Sequence, residues 1–372
     1  MNVKFLFATL AIFVTTLSFG QSTALDSALD YSYDRYSFHN FDEGIEASKK
    51  VQKAAEESKN SIAYLRASFY KEISLQAQSG NEYDIQKTDS LRLELLKNGL
   101  LRDAARAHLH LARTYYYFGD VQKEVYQYSK ALELYEQLNN EPGIASVYSD
   151  LSLMYYDQHD YEPAFENIRK AIRIDENLND PKVMHRDYNN LAIIFEHTGP
   201  IDSAIYFHKI AVDFAYQSKD QYSLGLSLSN LGNNYIMAGM LDLAEDTLLK
   251  ALEIRTSIGN LRGLAFTNIR LSYLFIEKGN LKKAKQHARN SLNYANQLSD
   301  LKVKRMAYDK FLQIAELENN SAEALKYLKL VRHLEDSLHN SDNTKEITKT
   351  IMRYEFAKQE FADSLANYTK EL

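Results

Sequence analysis

"SNLGNNYIMAGMLDLAEDTLLKALEI", residues 229–254, sets tiny and bulky side chains in a fixed order. Gly232, Gly239, Ala244 and Ala251 stand among Leu231, Tyr235 and Leu248. A glycine inside a helix costs about 0.8–1.0 kcal/mol relative to alanine, so its presence needs a reason. A shift of 40 residues in either direction supplies one, because the order recurs. Leu111, Leu151, Leu191, Leu231 and Leu271 fall in one column, with Phe311 next. Four residues on stand Tyr115, Tyr155, Phe195, Tyr235 and Phe275. Four further on stand Gly119, His159, Gly199, Gly239 and Gly279. Alanine follows at 164, 204, 244, 284 and 324, with Glu124 the exception, and then Ala131, Ala171, Ala211, Ala251, Ser291 and Val331. An Asn or Asp closes each unit at 140, 180, 220, 260, 300 and 340. A period in the range of 20–50 residues is the mark of a solenoid or a similar array.

Each unit reads as two helices. Leu231 and Tyr235 lie at i and i+4 on one face of the first. Gly239 sits where that helix stops, in the place a C-terminal glycine takes. Ala244, Leu248 and Ala251, at i, i+4 and i+7, line one face of the second. Two antiparallel helices approach to about 8 Å only where small residues line the contact. The glycine and alanines are therefore holes, and leucine and tyrosine are knobs.

The order L-(G/A/S)-x-x-(Y/F)-x-x-x-G-x-x-x-x-A-x-x-x-x-x-x-A resembles the tetratricopeptide repeat over residues 104–340. Its usual period is about 34; the period of 40 is similar to the longer-helix variety of MalT-like and Rapsyn-like arrays. The resemblance implies an all-α, right-handed superhelical solenoid of antiparallel helix pairs. Residues 22–103 are helical in pattern but out of register, as a divergent N-terminal cap would be. "FDEGIEASKKVQKAAEES" looks like a second helix there and "SIAYLRASFYKEISLQA" like a first.

The two ends are of other material. Lys4 precedes an uncharged, mostly apolar run from Phe5 to Leu17, and Ser18-Phe19-Gly20 follows it. This is the plan of a secretory signal peptide over residues 1–20, cut near Gln21, or of an uncut anchor. No cysteine follows, so a lipoprotein anchor is excluded, and a periplasmic or secreted location is expected. No other stretch is long and apolar enough to span a membrane after cleavage. At the other end, Ile347, Ile351, Tyr354, Phe361, Leu365, Tyr368 and Leu372 mark a heptad seam interrupted at Lys358. Residues 341–372 thus read as a long C-terminal helix, either capping the array or joining a homodimer through 342–372. "ITKTIMRYEFAKQEFADSL" resembles the segment after the tetratricopeptide array in bacterial membrane-bound sensors. That likeness implies a sensing role and, in those proteins, a following membrane span and output domain such as a histidine kinase, a helix-turn-helix regulator or a nucleotide cyclase. Neither follows before Leu372, so the sequence is expected to be a shortened relative or part of a longer one.

Composition narrows the chemistry. The net charge of −6 argues against nucleic-acid binding, which needs a basic footprint. With no cysteine, disulfides, thiolate metal sites and thiol catalysis are out. No HExxH and no phosphate-binding glycine-lysine loop occur, so no metal and no cofactor are expected. Ser68 and Lys71 fit S-x-x-K without its companion motifs, and Gly225–Ser229 lacks the second glycine of a nucleophile elbow. The ten histidines are scattered and read as surface or groove residues. An enzyme is not expected.

Solenoids bind along a concave face. In the tetratricopeptide fold the first helices build it, and the residues flanking the core leucine point into it. That places Arg106, His110, Arg113, Tyr116 and Tyr117 at the N-terminal end, suited to a carboxylate or an acidic segment. Asp150, Tyr156, Arg186, Asn190, Asn230 and Asn233 follow, and Arg270 and Tyr273 close the row. Asparagine both donates and accepts, so it can pair with a peptide backbone; "NLGNNY" resembles kinesin-light-chain-like repeats, where such residues hold an extended peptide. The 27 tyrosines suit a protein interface or glycan stacking alike. The expected partner is a peptide or protein, with the sensor half of a transmembrane signalling protein as the alternative role.

Overall fold

A left-handed residue recurs every twenty positions and sets the architecture. Positive φ occurs at Gly99, Gly119, Asn139, His159, Asn179, Lys219, Gly239, Gly259, Gly279 and Asn319. At Gly239 φ is 73° with nothing near a would-be Cβ, so it is the backbone alone that favours glycine there. Gly199 departs from the pattern with φ −142°, because Pro200 follows and pushes it to extended backbone. The Asn or Asp that closes each unit starts the next helix instead. Asp180, Asp220, Asn260 and Asp300 each accept a hydrogen bond from a backbone N–H two or three residues on.

The structure, a computed structural model, describes residues 18–37, 41–79, 84–298 and 300–336. The apolar run Phe5–Leu17 and the heptad segment 342–372, with the dimer read from it, lie outside the described residues. Among the described residues every regular element is an α-helix, and no helix is long and apolar enough to cross a membrane.

The helices fall into two compact units. The first holds α1 (Ser18–Ser37), α2 (Phe41–Glu57), α3 (Ser61–Ser79), α4 (Ile85–Lys97), α5 (Leu101–Phe118) and α6 (Val121–Gln137). Its core is built on Leu29, Val51, Phe69, Tyr70 and Ile73. The repeat of Leu111 belongs to this unit. α2 and α3 begin at positions 41 and 61, on the same twenty-residue beat as α5 and α6; α1 and α4, which begin at 18 and 85, are off it. The N-terminal segment therefore keeps the repeat's helix spacing, although its residue pattern reads as out of register. The turns fix helix length, while the side-chain pattern has drifted.

The second unit holds α7 (Glu141–Asp157), α8 (Tyr161–Leu178), α9 (Pro181–Thr198), α10 (Ile201–Ser218), α11 (Gln221–Met237), α12 (Leu241–Ser257), α13 (Leu261–Glu277), α14 (Leu281–Gln297), α15 (Leu301–Leu317) and α16 over 321–336. Consecutive helices pair as hairpins, and the first helices α7, α9, α11, α13 and α15 also touch one another in sequence, forming a layer. The knobs and holes meet as the spacing predicts. A Cβ on Gly232 would lie 2.6 Å from Cγ of Leu248, so α12 presses its leucine into the gap that glycine leaves in α11. Ala164, Ala204, Ala244, Ala284, Ala171, Ala211 and Ala251 are all fully buried. Leu191, Leu231, Leu271 and Phe311 are buried too, whereas Leu151 is half-buried.

Candidate functional site

The first helices carry the residues expected to face a ligand, and the structure divides them by what already holds them. In the first unit, Arg106 is an interior brace. Its Nη1 donates to Tyr70 OH at 2.6 Å and to Asp30 Oδ1 at 3.0 Å, and its guanidinium lies 4.0 Å above the Tyr33 ring. Tyr70 in turn donates to Asp103, which also takes Arg66 at 2.7 Å. His110 is buried, with Nε2 3.2 Å from Gln76 Oε1. Burial, and then the charge of Arg113, push its pKa down to about 3. Neutral and enclosed, it offers no charge to a carboxylate, contrary to the expectation for this end. Arg113 is half-buried and Tyr116 is exposed; the side chain of Tyr117 lies outside those described. His108, His185 and His208 are buried as well, so these histidines are interior rather than surface residues.

In the second unit a polar ladder runs from one first helix to the next. Ser149 Oγ donates to Asp187 Oδ1 at 2.7 Å and accepts from Asn190 Nδ2 at 3.1 Å, joining α7 to α9. Asn230 Nδ2 donates to Asn189 Oδ1 at 2.9 Å, joining α9 to α11. Arg270 Nη1 donates to Ser229 Oγ at 2.6 Å, joining α11 to α13. Asn190 and Asn230, expected to hold a peptide backbone, are buried and engaged in this ladder. Buried polar groups must be paired, and these pairs set the spacing of the helices. Arg186 is likewise engaged: it lies 3.2 Å from Asp187, 3.7 Å from Asp175 and donates to Ser146 Oγ at 3.3 Å.

The other five expected residues of this unit are half-buried, Arg270 among them although it is also a rung of the ladder. Asn233 and Tyr273 occupy the same repeat position on α11 and α13, both half-buried. Asn233 makes only a weak contact, Nδ2 to Met237 Sδ at 3.6 Å. Lys310, from α15, sits 5.1 Å above the Tyr273 ring. Tyr156 is half-buried on α7, 5.6 Å from the His197 ring, and burial together with Glu196 raises its pKa to about 12. Arg270 is half-buried; burial draws its pKa down to about 10, against the attraction of Glu196. Asp150 is half-buried on α7.

Sequence reading missed Arg255, on the second helix α12. It is 3% exposed, and its Nη1 donates to Gly263 O and Thr267 Oγ1, both at 2.6 Å. Burial and the nearby charge of Arg270 lower its pKa to about 10. Its column reads Tyr135, Asp175, Ala215, Arg255 and Ala295. Two charges, Asp175 and Arg255, in a column otherwise filled by Tyr135, Ala215 and Ala295 were the available signal. Among the described residues, no group of three acidic or histidine side chains is placed to hold a metal.

The tetratricopeptide repeat family model matches residues 102–177. No curated protein matches the sequence. Among solved structures, a Rap protein complexed with competence and sporulation factor is similar at a TM-score of 0.56 and 12% identity, over 86% of this chain and 99% of its own. The apo form of RapI is similar at 0.53 and 14%, over 78% and 96%. A signal transduction ATPase with a tetratricopeptide repeat sensor, from Pyrococcus horikoshii, is similar at 0.52 and 16%, over 85% of this chain and 54% of its own. Residues 102–177 thus carry tetratricopeptide repeats, and the chain, with its twenty-residue beat of helices, fits a tetratricopeptide-repeat protein.

Proposed function

We propose that this chain is a non-catalytic scaffold that works outside the cytoplasm and binds a peptide or protein partner along the layer of first helices in its second unit. The observation that carries the reading is the division of labour on that layer. Asn190, Asn230 and Arg186 are engaged in holding helices together. Asn233, Tyr273 and Arg270 keep polar groups available on α11 and α13. An amide, a phenol and a guanidinium on neighbouring helices suit an extended chain, whose backbone both donates and accepts. The likeness to a Rap protein solved with a bound factor supports the same use of the fold.

The test is capture from an extracytoplasmic extract. The full chain retains a partner, and Asn233→Ala combined with Tyr273→Ala lowers retention at least tenfold, while Lys282→Gln on the exposed side of α14 does not. Equal capture by the double variant, with its helical circular dichroism intact, overturns the reading. Location is checked by fractionation and by the mature N-terminus, expected near Gln21.

A second reading draws on the tail's resemblance to bacterial sensors and on the similar sensor-bearing ATPase: the same array as the sensing half of a signalling protein. An in-frame hydrophobic stretch in the DNA beyond Leu372 is its expected sign, and an unrelated gene directly after a stop codon counts against it.

A further inference from the structure

The exposed side of the second helices changes sign along the second unit. On α12 it presents Asp242, Asp246 and Leu249. The same repeat places hold Lys282, Gln286 and Arg289 on α14, and Ala322, Lys326 and Lys329 on α16. α14 carries no acidic residue. Residues 281–336 hold 11 Lys and Arg against 7 Asp and Glu, in a chain that holds 44 against 50. The last three helices are thus basic in a chain that is acidic.

Pairing sharpens the contrast. Lys285 lies 2.8 Å from Glu318 and 3.6 Å from Glu323, which ties α14 to α16. Arg305 lies 3.4 Å from Glu335, Lys310 3.7 Å from Asp309 and Arg262 3.5 Å from Asp300. Of the acids, only Glu316 on the first helix α15 and Asp336 at the end of α16 are left without a cation among the described residues. By contrast, Lys282, Arg289, Lys326, Lys329 and Arg332 are all exposed, and none has a carboxylate at ion-pair distance among the described residues.

Helical spacing gathers these cations. Lys282 and Arg289 are i and i+7 on α14, and Lys326, Lys329 and Arg332 follow in steps of three along α16. Arg289 and Lys329 hold the same repeat place on neighbouring second helices. Among them Leu325 is 54% exposed. An apolar side chain flanked by long cations is the make-up of a surface that lies on lipid, where the cations reach headgroups and the leucine enters the acyl boundary. Lysine, a hydrated point charge on a flexible stem, suits a fluid layer of headgroups. A duplex nucleic acid or an acidic protein would draw on the same charges but leave Leu325 without a use.

We propose that the exposed side of α14 and α16 is a docking surface for an anionic membrane, with Lys282, Arg289, Lys326, Lys329 and Arg332 over the headgroups and Leu325 in the acyl boundary. It is built on second helices, apart from the first-helix layer read above as the partner site, and does not depend on that reading. Each basic residue held at an anionic surface tightens binding about fivefold at low salt, so a few of them together make the preference for anionic lipid measurable.

The test is sedimentation of the full chain with vesicles of phosphatidylcholine, with and without phosphatidylglycerol. Anionic vesicles bind about tenfold or more tighter than neutral ones, and the ratio falls as salt is raised. The apolar run Phe5–Leu17 meets both vesicles alike, so the ratio removes its contribution. Arg289→Glu with Lys329→Glu brings the ratio below about twofold with helical circular dichroism unchanged, and Arg289→Gln with Lys329→Gln gives a smaller loss. Lys170→Glu with Lys250→Glu, the same change of net charge made on α8 and α12, leaves the ratio within about twofold of its starting value. Leu325→Ser weakens binding to anionic vesicles about threefold or more without altering its salt dependence. The proposal is overturned by equal binding to both vesicles, by a ratio that survives the charge reversal, by an equal loss in the α8 and α12 control, or by soluble poly-glutamate or duplex DNA held as tightly as the anionic vesicles. Partner capture that depends on Asn233 and Tyr273 is read separately, so the groove reading stands or falls on its own test.

Discussion

Gly232 and Gly239 are glycines for opposite reasons, and substitution separates them. At Gly232 the helix is regular and the obstacle is Leu248, 2.6 Å from a new Cβ. Gly232→Ala gains about 0.8–1.0 kcal/mol of helix propensity but overpacks a closed interface by about 1–3 kcal/mol. At Gly239 the space is open and the obstacle is φ of 73°, which costs an L residue about 1–2 kcal/mol. Both variants should lower the urea midpoint. Shortening Leu248 to alanine at the same time should erase the added cost of Gly232→Ala and leave that of Gly239→Ala untouched. Additive losses for both pairs would refute the packing account of Gly232. Asp175 gives the second residue-scale prediction. It is fully buried, and burial, followed by the charge of Asp187, raises its pKa to about 8. A carboxyl with a raised folded-state pKa stabilises the fold fully at low pH, and that stability is lost as pH rises through the folded value. The chain should lose about 1–3 kcal/mol between pH 6 and 9, and Asp175→Asn should flatten the profile. Burial holds the pKa values of His108, His110, His185 and His208 down, so they act below about pH 6.5, reaching only the lower edge of this window. A wild-type profile already flat from pH 6 to 9 would be the contrary result.

Helix by helix, the turns decide where elements begin, and one start is unfinished. Asn280 and Asp300 cap α14 and α15 by accepting from Lys283 N and Val303 N. Met240 holds the equivalent place before α12 with no side-chain cap, in backbone close to that of Asn280. Met240→Asn should therefore raise stability by about 0.5–1 kcal/mol, read as an increase in the urea midpoint at unchanged slope. A neutral or lower midpoint would show that the exposed methionine is held by packing instead. The helices and their partners were legible because packing repeats: Leu231, Gly232 and Ala244 answer the same steric demand forty residues apart. The candidate site was less so. Asn190 and Asn230 stand one residue before a core leucine, where a side chain can reach the open side or the neighbouring first helix. Which it does depends on the gap between helices, and that gap is set by residues of both, Ser149 and Asn189 here. Asn233 and Tyr273, two residues after the leucine, are half-buried and take no part in that ladder. Arg255 lies on a second helix, whose side chains a search of the first-helix face never meets.

In an array each repeat is stabilised by itself and its neighbours, so a local defect should stay local. The second unit shows where the divisions lie. Ala164, Ile168, Ala171, Leu191 and Ile194 form one buried cluster. Leu231, Tyr235, Leu248, Leu271 and Phe275 belong to another. Ile168→Ala removes a fully buried side chain from the first, at a cost of about 2–5 kcal/mol. Leu248→Ala does the same in the second. Residues more than about 7–10 Å apart with no shared partner contribute additively to stability. Native-state hydrogen exchange should then show protection falling in α8 and α9 for Ile168→Ala with α12–α14 nearly unchanged, and the reverse for Leu248→Ala. The polar ladder adds a qualification that can itself be measured. Asn230 to Asn189 ties α9 to α11 across the two clusters, so Asn230→Ala should loosen that tie and sharpen the separation of the two exchange patterns. Uniform loss of protection along the whole unit for either cavity would mean that the array opens as one block, and neither cluster would then be a cooperative unit of its own.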